Sequence, residues 1–131
     1  MKLSCSCKNI QIEWDTQSRD FLARSCSCSY CRENGGEYVS DPKSSFSFKL
    51  TDPSSHMIAQ HGHKTADFHE CKNCGTAFVS CSVDGDSYGI INAKVMGLKG
   101  YSIEPVLKNY SSETVEERLA RRMTNWCKLR Q

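Results

Sequence analysis

Apolar and polar residues alternate at Ile10, Ile12 and Trp14, and again at Phe46, Phe48 and Leu50, which is the period-two pattern of half-buried strands. Further along, Thr76 to Val83 and Tyr88 to Val95 flank Asp84-Gly85-Asp86, a turn signal that joins the two runs as a hairpin. Asn34-Gly35-Gly36, Asp41-Pro42 and Thr51 to Ser55 punctuate the chain as loops. From Leu3 to about Lys99 the pattern therefore predicts short strands. The periodicity then changes. Val115, Leu119, Met123 and Trp126 recur at helical spacing after Ser111-Ser112, which read as N-cap residues, with Glu113, Glu116 and Glu117 in the first turns. An amphipathic helix over about 112–129 is expected, carrying Cys127. Its cations Arg118, Arg121, Arg122, Lys128 and Arg130 read as a solvated face, because acidic neighbours and the preference of a helix C-terminus for cations explain them without a partner.

Length allows one modest core, so 131 residues are read as a single domain spanning 1–131. Composition changes the picture at one residue type. Nine cysteines in a chain this size exceed ordinary usage and point to a metal scaffold or a disulfide framework. The first residues carry no apolar signal segment, and no stretch reaches the apolar length of a membrane span, so a cytoplasmic setting is expected and no membrane is implied. In a reducing compartment, clustered cysteines bind metal or do chemistry more readily than they pair, and the odd total agrees. A formal charge of +2 falls close to neutral once thiolates and zinc are counted. Bulk charge thus points to neither a nucleic acid nor an acidic membrane as partner.

Seven of the cysteines fall in three clusters: Cys5-Ser6-Cys7, Cys26-Ser27-Cys28-Ser29-Tyr30-Cys31, and Cys71-Lys72-Asn73-Cys74-Gly75. Zinc in a closed site takes four thiolate or imidazole ligands, and C-x-C or C-x-x-C turns bring two sulfurs to adjacent corners of its tetrahedron. The middle run can occupy three corners from one segment, as a tripod. The outer pairs then sum to four and close a second site: Cys5, Cys7, Cys71 and Cys74 hold a structural zinc, and Cys26, Cys28 and Cys31 hold a catalytic zinc with an open corner. Two Zn²⁺ per chain are expected. A rival partition shares Cys26 and Cys28 with the first pair and gives Cys31 to the last, at the expense of the compact tripod.

In another arrangement a histidine fills the open corner, with His56, His61, His63 and His69 as candidates, and the tripod becomes structural. If the corner is open, three thiolates leave the complex with negative charge, which makes it a poor activator of water and a good holder of an exogenous thiol as thiolate. That predicts thiol chemistry. Arg24, Arg32 and Lys72 flank the clusters and could offset the negative charge or hold a substrate carboxylate, although flanking cations more often read as solvated; Cys81 and Cys127 lie outside them and read as packing residues.

The ordered set C-x-C, C-x-C-x-x-C, C-x-x-C-G resembles the glutathione-dependent formaldehyde-activating enzymes, a family that also includes centromere protein V. Arg32 after the tripod, Phe68 before the last pair, and Tyr88 to Asn92 leading toward Gly97-Leu98 take part in the likeness. The resemblance implies a mainly β fold of small curved antiparallel sheets, β-tent-like, organised around zinc, and the same partition of ligands. It implies reversible addition of the glutathione thiol to formaldehyde, an S-(hydroxymethyl)glutathione synthase-like carbon–sulfur lyase with a small thiol and an aldehyde as partners. Two positions depart from the family pattern: Lys8 stands where a glycine commonly follows the first pair, and Ser27 where the tripod often has histidine. The other class of function is a non-enzymatic zinc module that binds protein or nucleic acid, with both metals structural.

Overall fold

The computed structural model describes residues 1–24, 36–60, 66–103 and 113–130. Alternation along the chain becomes strand wherever it was strongest. Ile10–Trp14 forms β2 with Ile10, Ile12 and Trp14 buried and Gln11 and Glu13 exposed, and Ser45–Leu50 forms β5 with Phe46 fully buried. The expected hairpin is β8 (Gly75–Val83) against β9 (Asp86–Asn92), paired from Phe78↔Ile91 to Val83↔Asp86. The remaining strands are β1 (Lys2–Ser4), β3 (Leu22–Ala23), β4 (Tyr38–Val39), β6 (His56–Ala59), β7 (Asp67–Cys71), β10 (Ser102–Ile103) and β11 (Cys127–Leu129). Among the described residues one α-helix, α1 (Val115–Asn125), precedes β11.

These strands make one mixed nine-stranded sheet in the order β1-β2-β5-β11-β9-β8-β7-β6, with β4 added on β9, and a separate parallel pair β10-β3. The expected small antiparallel sheets are replaced by this single large one. The cause is the C-terminus: β11 inserts between β5 and β9, parallel to the first (Lys128↔Ser45) and antiparallel to the second (Lys128↔Tyr88), and so fuses two antiparallel ribbons.

The helix also ends earlier than its spacing suggests. The Trp126 amide still donates to the Arg122 carbonyl, but Trp126 itself is extended, and the chain leaves to pair as β11, carrying Cys127 with it. At the other end the cap is Thr114, whose hydroxyl accepts from the Glu117 amide while the Glu117 carboxylate accepts from the Thr114 amide. Ser111 and Ser112 lie outside the described residues. The buried face is rotated as well: Val115 and Met123 stay 42% and 44% exposed, while Arg122 is buried with its guanidinium 4.9 Å above the Trp126 ring. Arg121 makes a two-pronged contact with Glu113 at 3.0 and 3.1 Å, and Arg130 donates to the Glu13 carbonyl. Arg118, Arg121 and Arg122 are therefore partly or fully buried against the fold, whereas Lys128 and Arg130 stay exposed, as a solvated face requires.

Two clusters fill the two faces of the sheet. Trp14, Phe46, Phe78, Ile91, Met96 and the sulfurs of Cys5 and Cys71 belong to the larger; Val79, Cys81, Val83, Tyr88 and Trp126 form the smaller, with Leu119 of α1 against it. That double burial is why β8 is apolar on both sides. β1 and β7 are six strand spacings apart in the sheet order, about 29 Å if the sheet were flat. Phe48 of β5 nevertheless packs at 4.8 Å on Phe78 of β8 and at 5.5 Å on His69 of β7. The sheet is thus strongly curled, and the curl brings its distant cysteine pairs together. Among the described residues no helix is long and apolar enough to cross a membrane.

Candidate metal centre

Each outer cysteine pair sits in a turn at the end of a strand. After β1, the Cys5 amide donates to the Ile10 carbonyl and the Lys8 amide to the Cys5 carbonyl, a tight reversal that leaves Lys8 at a φ of 65°. Between β7 and β8, the Cys74 amide donates to the Cys71 carbonyl, and Gly75 holds a φ of 103° that other residues rarely adopt. The turns meet across the curl. The four sulfurs of Cys5, Cys7, Cys71 and Cys74 lie within 4.8 Å of one another, with 3.7 Å between Cys5 and Cys7 and 3.3 Å between Cys7 and Cys71.

A tetrahedron of thiolates about 2.3 Å from a zinc ion has edges of about 3.8 Å, so the cluster has the size of a four-sulfur metal site. It is far too open for a disulfide, whose sulfurs lie about 2.05 Å apart. Backbone and side-chain donors are already aimed at the sulfurs. The Ile10 amide points at Cys5 Sγ (3.4 Å), the Cys7 amide at Cys74 Sγ (3.4 Å), and the Ser6 hydroxyl lies 3.2 Å from Cys74 Sγ. Ser6 had no part in the sequence expectation, although its place between two ligand cysteines was a signal; such partners orient ligands and stabilise the thiolate form.

Electrostatics favours a cation in this cluster. Burial pushes Cys71 up to about 12 and raises Cys5. Burial also acts to raise Cys74, but hydrogen bonds from Ser6 and the Cys7 amide outweigh it and bring the thiol down to about 6. One negative charge is thus accommodated and further ones are resisted. A divalent cation at the centre removes that resistance and allows all four sulfurs to ionise. The donor set and its spacing fit zinc, which would be held by Cys5, Cys7, Cys71 and Cys74.

Lys8 occupies a left-handed conformation that costs a residue with a Cβ roughly 1–2 kcal/mol, of which the greater chain entropy of glycine recovers about 0.5–1 kcal/mol. Lys8→Gly is accordingly expected to stabilise the metal-loaded protein by about 0.5–1 kcal/mol, seen as a higher urea midpoint at unchanged slope.

Cys26, Cys28 and Cys31, with Ser27 and Arg32, lie outside the described residues, as do His61 and His63. The chain on either side is fixed: Arg24 and Tyr38 exchange both backbone hydrogen bonds, at 2.8 and 3.0 Å, so the ends of the segment 25–35 are tied beside β4. Of the other histidines, His69 is buried with both ring nitrogens engaged, 3.0 Å from His56 Nε2 and 2.9 Å from Ser80 Oγ, and its ring stacks on Phe78. That leaves it no nitrogen for a metal.

Burial, with His56 alongside, holds the His69 imidazole neutral and its pKa down at about 4. The unfolded chain takes up this proton near pH 6.5 and the folded chain near 4. The contribution to stability is therefore complete above pH 6.5 and is lost as pH falls to 4, by at most about 3 kcal/mol. His69→Phe lacks this titration, so the gap in Tm between the native protein and the variant should narrow as pH falls from 6.5 to 4. Cys81 and Cys127 are buried free thiols, both raised by burial, and Cys127 Sγ accepts from the Asp41 amide.

A family model for the glutathione-dependent formaldehyde-activating enzyme matches residues 1–113, which include all three cysteine clusters. The chain belongs to this family. A crystal structure of a Rhodobacter sphaeroides protein superposes with a TM-score of 0.51 at 21% identity, covering 79% of this chain and 100% of that one, a likeness of fold. No curated protein matches the chain. Within the formaldehyde-activating family, the four clustered sulfurs belong to the first and third motifs of this sequence, and the tripod motif lies between them.

Proposed function

We propose that the chain is a zinc-dependent carbon–sulfur lyase-type enzyme, S-(hydroxymethyl)glutathione synthase-like, with two Zn²⁺ ions. The observation that carries the proposal is the family match over residues 1–113, which spans both metal motifs. The four-sulfur cluster supports the first half of the ligand partition, because Cys5 and Cys7 meet Cys71 and Cys74. Cys5, Cys7, Cys71 and Cys74 carry a structural zinc that staples the curl of the sheet. Cys26, Cys28 and Cys31 carry the catalytic one and leave a corner for a small thiol.

When bound at the tripod, zinc supplies a cationic centre that keeps an incoming thiol deprotonated near neutral pH. The three thiolates of the chain make the centre electron-rich, which favours a sulfur nucleophile over hydroxide. In the addition, the thiol sulfur forms a bond to the aldehyde carbon, the carbonyl π pair moves to oxygen, and the proton released by the thiol ends on that oxygen. Glutathione and formaldehyde give S-(hydroxymethyl)glutathione, and the reverse step breaks the same carbon–sulfur bond. Such thiol chemistry suits a reducing, cytoplasmic setting. The contacts of Arg121 with Glu113 and of Arg122 with Trp126 account for these two cations of α1 without a nucleic-acid partner.

Two-dimensional NMR exchange between free glutathione and its hydroxymethyl adduct, in the presence of formaldehyde, tests the reading. Fully metal-loaded protein should raise the exchange rate well above that of the uncatalysed mixture. An unchanged rate at full occupancy would defeat it.

A further inference from the structure

At the β1 end of the sheet, a groove of about 320 Å³ opens on the face turned away from the core. Strand register builds it. Leu3, Ile12 and Phe48 turn into the larger core cluster, so the residues between them turn out. Lys2, Glu13 and Ser47 stand in one row across β1, β2 and β5, and Ser4, Gln11 and Lys49 stand in the next. Lys8 lines the groove from the turn that follows the first cysteine pair, and its carbonyl accepts from Gln11 Nε2 at 3.1 Å.

Three lysines face one glutamate in this groove. Lys2 and Glu13 approach only to 3.9 Å, with side chains 84% and 55% exposed, a screened pair that a ligand can exchange. Among the described residues Lys8 and Lys49 have no ion-pair partner, and both are exposed. At ordinary strand spacing and rise, the Cα atoms of Lys2 and Lys49 are about 12 Å apart, a spread that suits several anionic groups better than one. Gln11 is held as well, since Nε2 also approaches the Thr51 hydroxyl at 3.4 Å, which leaves its side-chain carbonyl to accept. Lys8 adds an independent sign of use. Its φ of 65° is one that glycine adopts at no steric cost, and no packing around this exposed side chain requires lysine. The chain keeps a strained residue where its side chain lines the groove.

We propose that this groove docks an extended acidic segment of a partner protein, whose carboxylates meet Lys8, Lys49 and Lys2 while one of its backbone amides donates to Gln11 Oε1. Side chains on one face of an extended chain recur about every 7 Å, so acidic residues at alternate positions match cations spread in this way. A phosphate backbone offers Gln11 no amide donor, and Glu13 opposes its continuous negative charge. The contacts lie at solvent-exposed cations, so the interaction is salt-sensitive.

Fluorescence anisotropy of the zinc-loaded full chain with a labelled octapeptide of alternating glutamate and serine tests the proposal. A lysine–serine octapeptide and a single-stranded oligonucleotide carrying the same label serve as comparisons. Saturable binding of the acidic peptide is expected at low salt, weakening as ionic strength rises. Lys8→Gly and Lys49→Gln should each lower the affinity by about two- to fivefold, the usual effect of an exposed charge contact, and together by about tenfold. Lys8→Gly relieves the backbone strain, so lost affinity in that variant cannot be ascribed to a damaged fold. The amide resonances of Ser4, Gln11, Glu13 and Ser47 should shift as the acidic peptide is added. Absence of saturable binding at low salt, or an affinity unchanged in the double variant, would overturn the proposal. Shifts confined to other faces of the protein would do the same. Tighter binding of the oligonucleotide than of the acidic peptide would overturn the peptide as the occupant.

Discussion

Cys71→Ser is expected to leave the protein unfolded at room temperature. The four-sulfur cluster ties the turn after β1 to the turn between β7 and β8, six strand spacings apart in the sheet order. Structural zinc contributes about 10–16 kcal/mol in small zinc-binding peptides near neutral pH, and a folded protein of this size holds only about 5–15 kcal/mol in total. Cys71 is buried in the larger core cluster together with Cys5, so loss of its sulfur removes both a ligand and packing. Circular dichroism and amide dispersion should show collapse of the fold in Cys71→Ser, and a strong chelator should produce the same collapse in the unaltered protein with release of zinc. Ser6→Ala tests a smaller effect in the same site, weakening metal affinity by about 10- to 100-fold while the fold is retained.

Cys28→Ser carries the opposite expectation. The tripod motif belongs to one short stretch of chain whose ends are already joined by the Arg24–Tyr38 pair, so a metal held there would close no long loop. Its loss should change the unfolding free energy by about 2 kcal/mol or less, within the usual range for single substitutions, and abolish exchange of glutathione with formaldehyde by at least about a hundredfold. The contrast between the two variants separates an open catalytic centre from a second structural one. If Cys28→Ser unfolds the chain as severely as Cys71→Ser, the tripod is a fold element and the non-enzymatic zinc module gains.

Local features of the fold were legible from residue type and spacing. Ile10, Ile12 and Trp14 lie on one face of β2 because period-two alternation leaves them no other way to be buried together. The β8–β9 turn follows from Asp84-Gly85-Asp86, where both Asp84 and Gly85 take positive φ. The pairing of the first and third cysteine clusters was legible because four ligands close a tetrahedron.

Long-range choices left no such trace. Cys127 to Leu129 is three residues long and follows a helix, and only its insertion between β5 and β9 makes it a strand and the sheet mixed. Arg122 was read as solvated because acidic neighbours and its late place in the helix explain a cation, whereas it is buried with its guanidinium over Trp126 and a hydrogen bond to Cys81. His69 was a candidate ligand by residue type and is instead bonded to His56 and Ser80. The contacts that fix Arg24 left no trace either, since its partner Ser40, and Asn125 which accepts from Ser40, come from distant parts of the chain.

The central claim is that one zinc is closed by four cysteines and a second is held open by three. Anomalous diffraction at the zinc edge from crystals of the metal-loaded protein tests it most directly. Two peaks are expected, one among Cys5, Cys7, Cys71 and Cys74 and one at Cys26, Cys28 and Cys31 with water or a small thiol at the fourth corner. A single peak, or a second zinc whose fourth ligand is a histidine or cysteine of the chain, would contradict the account.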